Sequence, residues 1–245
     1  MKHEPSPIVV ITGASGGIGQ ALSLQFLDEG ANLYMVGRSE PSLNLSGRHA
    51  QYFSSHMHWC QADLTEEQDL CELERKLKAD LDHIDILIHC AGILTLGRIE
   101  DASVSDLDDQ YRTNVRAPYS LTKGLLPLLK ACEGQIVFLN SSIWQHARAG
   151  ISQYAASKYA LKAITDSLRE EVNADGIRVL SVYLGRTATP MQKIVHAEEG
   201  RPYHPEHLIQ PDDVAATILH ILKLPRTLEV TDIHIRPMKK ASSGR

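Results

Sequence analysis

Tyr154 and Lys158 stand four residues apart in the stretch Gln153-Tyr154-Ala155-Ala156-Ser157-Lys158. On a helix that spacing puts a phenol and an ammonium on one face, one turn apart. A cation beside a phenol favours the phenolate and lowers the tyrosine pKa from about 10 toward neutrality. A tyrosine tuned in that way gives or takes a proton at physiological pH. Alone the pair is weak, because Tyr and Lys at this spacing also occur on ordinary helix surfaces. It gains meaning only if other residues supply a cofactor and a substrate oxygen.

A second group of residues offers the cofactor. The run Thr12-Gly13-Ala14-Ser15-Gly16-Gly17-Ile18-Gly19 follows the apolar segment Ile8–Thr12 and opens an amphipathic one. Glycines there allow a tight turn and a close approach of backbone to phosphate. The helix that follows presents free N–H groups and a positive dipole end to a pyrophosphate. The spacing TGxxxGxG departs from GxGxxG, and no Gly-Lys-Ser/Thr of a P-loop is present. About 20 residues past such a turn, an NAD site carries an acid for the ribose hydroxyl and an NADP site a cation for the 2′-phosphate. Here that region reads Gly37-Arg38-Ser39. A guanidinium binds phosphate bidentately, so NADP is expected and NAD is less favoured.

The elements that must position these groups follow from periodicity. Strands are expected at Ile8–Thr12, Asn32–Val36, His58–Gln61, Ile84–His89, Gln135–Asn140, Ile177–Tyr183 and Val230–Ile235. Several are nearly continuous in Val, Ile and Leu, as befits parallel strands buried on both faces. Between them lie helices expected at Gly17–Glu29, Thr65–Ala79, Ser105–Ala131, Ser152–Asn173 and Pro211–Leu224. Asp63-Leu64-Thr65-Glu66-Glu67 and Gln210-Pro211-Asp212-Asp213 have the capping side chains and first-turn acids of helix starts. Seven strands alternating with helices predict an α/β fold, a doubly wound (Rossmann) parallel sheet with helices on both faces, as one domain over residues 1–245. The least regular stretches are Ser39–Met57 and Met191–Ile209. The second follows a strand end, where ligands of open α/β sheets sit, so residues 191–209 are expected to form a substrate lid.

With these motifs in this order, the chain resembles the short-chain dehydrogenase/reductase family over nearly its whole length. The glycine turn matches the family's Thr-Gly-x-x-x-Gly-x-Gly, implying cofactor contacts from Gly13, Ser15, Gly16, Gly17, Ile18 and Gly19, with Arg38 and Ser39 at the ribose phosphate. Ala62-Asp63-Leu64 looks like the segment that meets the adenine. His89-Cys90-Ala91-Gly92 stands where the family usually has Asn-Asn-Ala-Gly, so Cys90, Ala91 and Gly92 are implied at the cofactor. Thr113-Asn114-Val115 resembles the family's helix asparagine. Leu184-Gly185-Arg186-Thr187-Ala188-Thr189-Pro190 resembles the segment that contacts nicotinamide through Gly185, Thr187 and Thr189. Tyr154-x-x-x-Lys158 matches the signature itself.

The resemblance implies a tetrad of Asn114, a serine, Tyr154 and Lys158. Two serines compete. Ser141 lies 13 residues before the tyrosine, the commoner family spacing. Aligned on the end of the strand, Ser142 is the match and is preferred. In the implied chemistry Tyr154 protonates a carbonyl as hydride arrives, the serine hydrogen-bonds the developing alkoxide, and Lys158 tunes the phenol and binds the nicotinamide ribose. Asn114 would hold a relay water. The function expected is NADP(H)-dependent hydride transfer between nicotinamide and a carbonyl or secondary alcohol. The alternative is a catalytically idle member that senses NADP and binds a partner.

Composition narrows the rest. The chain has 245 residues, 43% of them apolar, and a net charge of -5. An acidic balance argues against a general nucleic-acid binder. No apolar run approaches the roughly 18 residues of a membrane span. Four cysteines without close pairing fit reduced thiols in a cytoplasmic protein. Twelve histidines form no recognised zinc pattern, so no metal is expected. A homodimer or homotetramer is expected from the resemblance, its two long helices pairing between subunits. Between the serines and Tyr154, the residues Trp144, Gln145, His146 and Arg148 are expected to line the substrate pocket. Arg148, Arg186 and Arg201 hint at an anionic group there.

Overall fold

The computed structural model describes residues 6–41 and 55–239, so most of the irregular stretch Ser39–Met57 lies outside the described residues. Seven strands form one sheet: β1 (Ile8–Thr12), β2 (Asn32–Gly37), β3 (Met57–Gln61), β4 (Ile86–His89), β5 (Gln135–Ser141), β6 (Arg178–Leu184) and β7 (Asp232–Ile235). Their order is β3-β2-β1-β4-β5-β6-β7, and every neighbouring pair is parallel. The order reverses between β1 and β4, so a crevice opens beyond the carboxyl ends of those two strands.

The strands are apolar along their length because both faces are covered. Val10, Val36, Leu87, Ile136 and Phe138 point to one face and pack with α2 (Glu67–Asp80), α4 (Ala117–Lys130) and α5 (Ser152–Val172). Val9, Ile11, Met35, Ile88 and Val137 point to the other and pack with α1 (Gly17–Asp28) and α7 (Pro211–Leu222). Successive residues of one strand thus alternate between two cores, the period-2 rule read out in three dimensions.

Two expectations need correction. The single helix expected over Ser105–Ala131 is three pieces: α3 (Val104–Tyr111), a π-helical turn (Arg112–Arg116), and α4. Pro118 is the physical reason, since it has no N–H to return to the carbonyl of Asn114. The ladder instead steps to i−5, with the Ala117 amide on the Arg112 carbonyl. The irregular stretch Met191–Ile209 holds a helix, α6 (Pro190–Glu198), and a 3₁₀ turn at Pro205–His207. Thr189 caps α6 by accepting from the Gln192 amide at 3.3 Å, and Pro190 takes the first helical position. The charged, proline-bearing composition hid a well-capped helix.

Candidate active site

The glycine turn follows β1 and bends back at Gly13, whose φ is +68°. A Cβ on Gly13 would lie 2.6 Å from the Ala91 Cα, so only glycine lets the turn rest on the segment that follows β4. Gly16 occupies the N-cap of α1, with no side chain capping it and no acid in the first turn. The first-turn N–H groups therefore face a cleft of about 580 Å³ rather than a side chain. Gly13, Ser15, Gly16, Gly17, Ile18 and Gly19 line that cleft, together with Arg38, Asp63, Leu64, Cys90, Ala91, Gly92 and Thr189. An uncapped, unacidified helix start over a cleft of this size suits a pyrophosphate.

Arg38 is exposed at the rim and makes no hydrogen bond or ion pair within the described residues. At Gly37 a Cβ would stand 3.1 Å from the Trp59 ring and 3.4 Å from Ser15 Oγ. The position where an acid would meet a ribose is thus filled from β3, which leaves Arg38 as the residue able to read that end of the cleft. Asp63 is braced: its Oδ1 accepts from the Thr65 amide at 3.0 Å and the Thr65 hydroxyl at 2.8 Å. The Thr65 amide bond, ahead of its hydroxyl and the nearby Arg38, holds the Asp63 carboxyl below its ordinary range. Ser39 is exposed and lines neither this cleft nor the next, so its expected cofactor contact is not supported by its placement.

A second cavity of about 400 Å³ continues from the first, sharing Ile18, Cys90, Ala91, Gly92, Thr189 and Met191 with it. Tyr154, Lys158, Ser141, Ser142, Gly185 and Thr187 line it. Here the structure favours the other of the two serines. β5 runs through Ser141, and Ser142 is already the first residue of the following 3₁₀ turn. Ser141 keeps extended backbone, lines the cavity with Tyr154 and acts on its phenol, while Ser142 is exposed. The strand end is one residue later than periodicity predicts, which brings the other hydroxyl to the tyrosine.

The expected electrostatics also change. Lys158 is 4% exposed, and its Nζ donates to the Leu139 carbonyl at 3.0 Å, 5.7 Å from the Tyr154 ring centre. Burial pushes the phenol up, to about 12, with the Ser141 hydrogen bond working against it. Burial likewise holds the Lys158 ammonium down, to about 8, with Cys90 acting in the opposite direction. Desolvation, not the neighbouring cation, dominates the tyrosine, so the phenol is a proton donor throughout the neutral range. Cys90 is itself pushed up, to about 12, by burial and stays a thiol.

Asn114 sits in the middle of the π-helical turn and is 1% exposed. Its Nδ2 donates to the Ile93 carbonyl at 2.9 Å and to Ser157 Oγ at 3.0 Å, while its Oδ1 accepts from the Ile93 amide at 2.9 Å. It ties the strand exit at Gly92 to the helix that carries Tyr154 and Lys158. A Cβ on Gly92 would lie 3.3 Å from that Oδ1. Of the loop residues expected at the pocket, only Arg148 lines it. Trp144 turns away onto Tyr183 and His234, with Lys162 Nζ 4.9 Å over its ring. His89, where the family has asparagine, is buried against Phe138 and bonded to Thr122 Oγ1 at 2.8 Å. Burial holds its pKa down to about 3, so it is a neutral strand anchor.

Glu199 was not anticipated. It accepts from Arg186 Nη2 at 2.8 and 2.6 Å and from Arg148 Nη2 at 2.8 Å. These bonds and charges outweigh its burial and hold its carboxyl below the ordinary range. No local spacing connects Arg148, Arg186 and Glu199, so no sequence signal could have found the cluster.

Comparison with known proteins places this geometry. Residues 7–200 match the family model described as short chain dehydrogenase. An oxidoreductase of Staphylococcus epidermidis is 29% identical over 239 residues, covering 97% of this chain and all of that protein. A short chain dehydrogenase from Shigella flexneri, solved with NADP, superposes with a TM-score of 0.82 at 26% identity, over 93% of this chain and 96% of that one. An alcohol dehydrogenase from Thermococcus sibiricus, solved with 5-hydroxy-NADP, shares the fold with a TM-score of 0.81 at 21% identity, over 98% of this chain and 100% of that one.

Proposed function

Because the chain belongs to the short-chain dehydrogenase family, we propose that it is an NADP(H)-dependent oxidoreductase acting between a carbonyl and a secondary alcohol. One arrangement carries this reading: Tyr154 and Ser141 meet in a cavity continuous with the uncapped N-terminus of α1. The dinucleotide, held by the glycine turn, Arg38, Asp63, Lys158 and Thr189, supplies the hydride when bound. Tyr154 gives its proton to the carbonyl oxygen, and Ser141 donates a hydrogen bond to that oxygen as charge develops on it. Lys158 supplies positive charge behind the phenol. Its pKa of about 8 means that reduction is fastest below that pH and weakens above it as the ammonium is lost. The Asn114 side chain is already engaged by Ile93 and Ser157, so it braces the helix of Tyr154 and Lys158.

NADP is favoured over NAD because Arg38 is free at the rim while Gly37 leaves no acid there. The Shigella flexneri relative, solved with NADP, points the same way. A cytoplasmic protein is consistent with the absence, among the described residues, of any helix long and apolar enough to cross a membrane. A homodimer or homotetramer is supported by Leu107, Tyr111, Tyr119 and Tyr159, exposed on α3, α4 and α5. Light scattering at working concentration is expected to show at least a dimer, and a monomer refutes this.

The test is consumption of NADPH with a panel of ketones, aldehydes, 3-oxoacyl thioesters and diketones. Turnover of none, with NADPH bound tightly, favours the idle, partner-binding alternative. Ser141→Ala is expected to lower kcat about 10²-fold, the usual loss for one oxyanion donor, whereas Ser142→Ala stays within a few-fold of the parent. Equal losses in steady-state kinetics would reject the assignment of Ser141.

A further inference from the structure

The cavity that holds Tyr154 has a second end whose chemistry the hydride reaction does not require. Arg148, Arg186 and Arg201 all line it. They come from three different segments: the loop after β5, the loop after β6, and the turn after α6. One carboxylate, Glu199, lies among them with its side chain 12% exposed. Arg186 is spent: its Nη2 binds both Glu199 oxygens, and its Nη1 faces His196 Nε2 at 3.3 Å. Arg148 gives Glu199 only Nη2, at 2.8 Å, and Arg201 stands off with its Nε 3.7 Å from Oε2. The side chains of Arg148 and Arg201 remain 46% and 55% exposed. Three guanidiniums against one carboxylate leave a positive excess facing the cavity. Farther out, Arg98 is matched by Glu100, and Glu198 lies exposed on the rim.

One arginine would suffice to neutralise Glu199, and Arg186 already does. The other two keep donors that no group among the described residues takes. A cationic substrate is disfavoured, because both Glu199 oxygens are occupied and ringed by positive charge. Besides the arginines and the tyrosine, the same cavity is lined by the apolar side chains of Leu94, Ile143, Ile151, Met191 and Val195, with Gln192 as a neutral polar group among them. We propose that the substrate is an oxo acid, its carbonyl at Tyr154 and its carboxylate held by Arg148 and Arg201, with a short hydrocarbon spacer between. Arg186 and Glu199 form the strut that aims those two side chains. The proposal rests on the oxidoreductase reading above and adds the substrate class.

The test compares pyruvate, acetoacetate and levulinate, each with its methyl ester, in two assays. In the first, the acid-to-ester ratio of kcat/KM is measured with NADPH in the parent and in Arg148→Met, Arg201→Met and the double variant. At least one pair is expected to favour the acid by about tenfold or more, as a charge-assisted pair does, and the ratio falls toward one in the double variant. A parent ratio near one, or a ratio the double variant leaves untouched, overturns the proposal. In the second, calorimetry on Tyr154→Phe measures binding of the same pairs without turnover. Tighter binding of the acid, lost in the arginine variants, supports the anion site even if no probe is reduced, and in that case only the oxidoreductase reading falls. Equal binding of acid and ester overturns the anion site, whatever the turnover.

Discussion

Tyr154→Phe is expected to cut kcat/KM for carbonyl reduction by about 10³-fold or more while leaving NADPH affinity within a few-fold. The change removes one oxygen and keeps the ring that lines the cavity, so packing is preserved. What disappears is the phenol that lines the cavity beside Ser141. In the parent, the phenol's pKa of about 12 keeps it protonated at neutral pH, and the Lys158 value of about 8 sets the upper pH limit. Stopped-flow or steady-state NADPH oxidation, paired with cofactor fluorescence for binding, reads both parts. Undiminished turnover removes Tyr154 from the chemistry, and lost cofactor binding makes its role structural.

Arg38→Asp is expected to lower kcat/KM for NADPH by about 10²-fold or more and to raise NADH relative to it. Loss of a charged hydrogen bond costs about 1.5–3 kcal/mol, and a carboxylate facing a phosphate adds repulsion. Among the described residues Arg38 makes no hydrogen bond or ion pair, so its replacement is not expected to unsettle the fold. Moving the acid to position 37 instead would not be clean, since a Cβ there meets the Trp59 ring at 3.1 Å. If the ratio of the two cofactors' kcat/KM does not move, Arg38 is not the phosphate ligand.

The sheet was legible because buried parallel strands leave a simple mark, runs of Val, Ile and Leu between amphipathic stretches. All seven strands lie where those runs are, with ends shifted by one or two residues. One of those shifts bears on the proposed serine: β5 extends from Asn140 to Ser141, so the hydroxyl at the strand end is that of Ser141. A one-residue error is harmless to a fold and decisive for a site, because neighbouring strand residues face opposite ways. The Tyr154/Lys158 spacing and the glycine turn were legible since each is local. The tyrosine's electrostatics were not, because desolvation depends on what packs around the phenol. The three arginines were noticed in the sequence, but Glu199 among them was not, because tertiary structure brings it to Arg148 from 51 positions away.

The reversal of strand order has a consequence for how the chain reaches this state. β1 pairs with β4 across a separation illustrated by Val9 and Ile86, with β2, β3 and α2 lying between them in sequence. Neighbouring parallel strands cannot meet through a tight hairpin, so each pairing waits on a crossover, and pairings far apart in sequence form slowly. The seam where Gly13 rests on Ala91 joins β2–β1 on one side to β4–β5 on the other. The cleft exists only once the two halves have docked. Formation of the cleft therefore reports that a long-range crossover pairing has been completed.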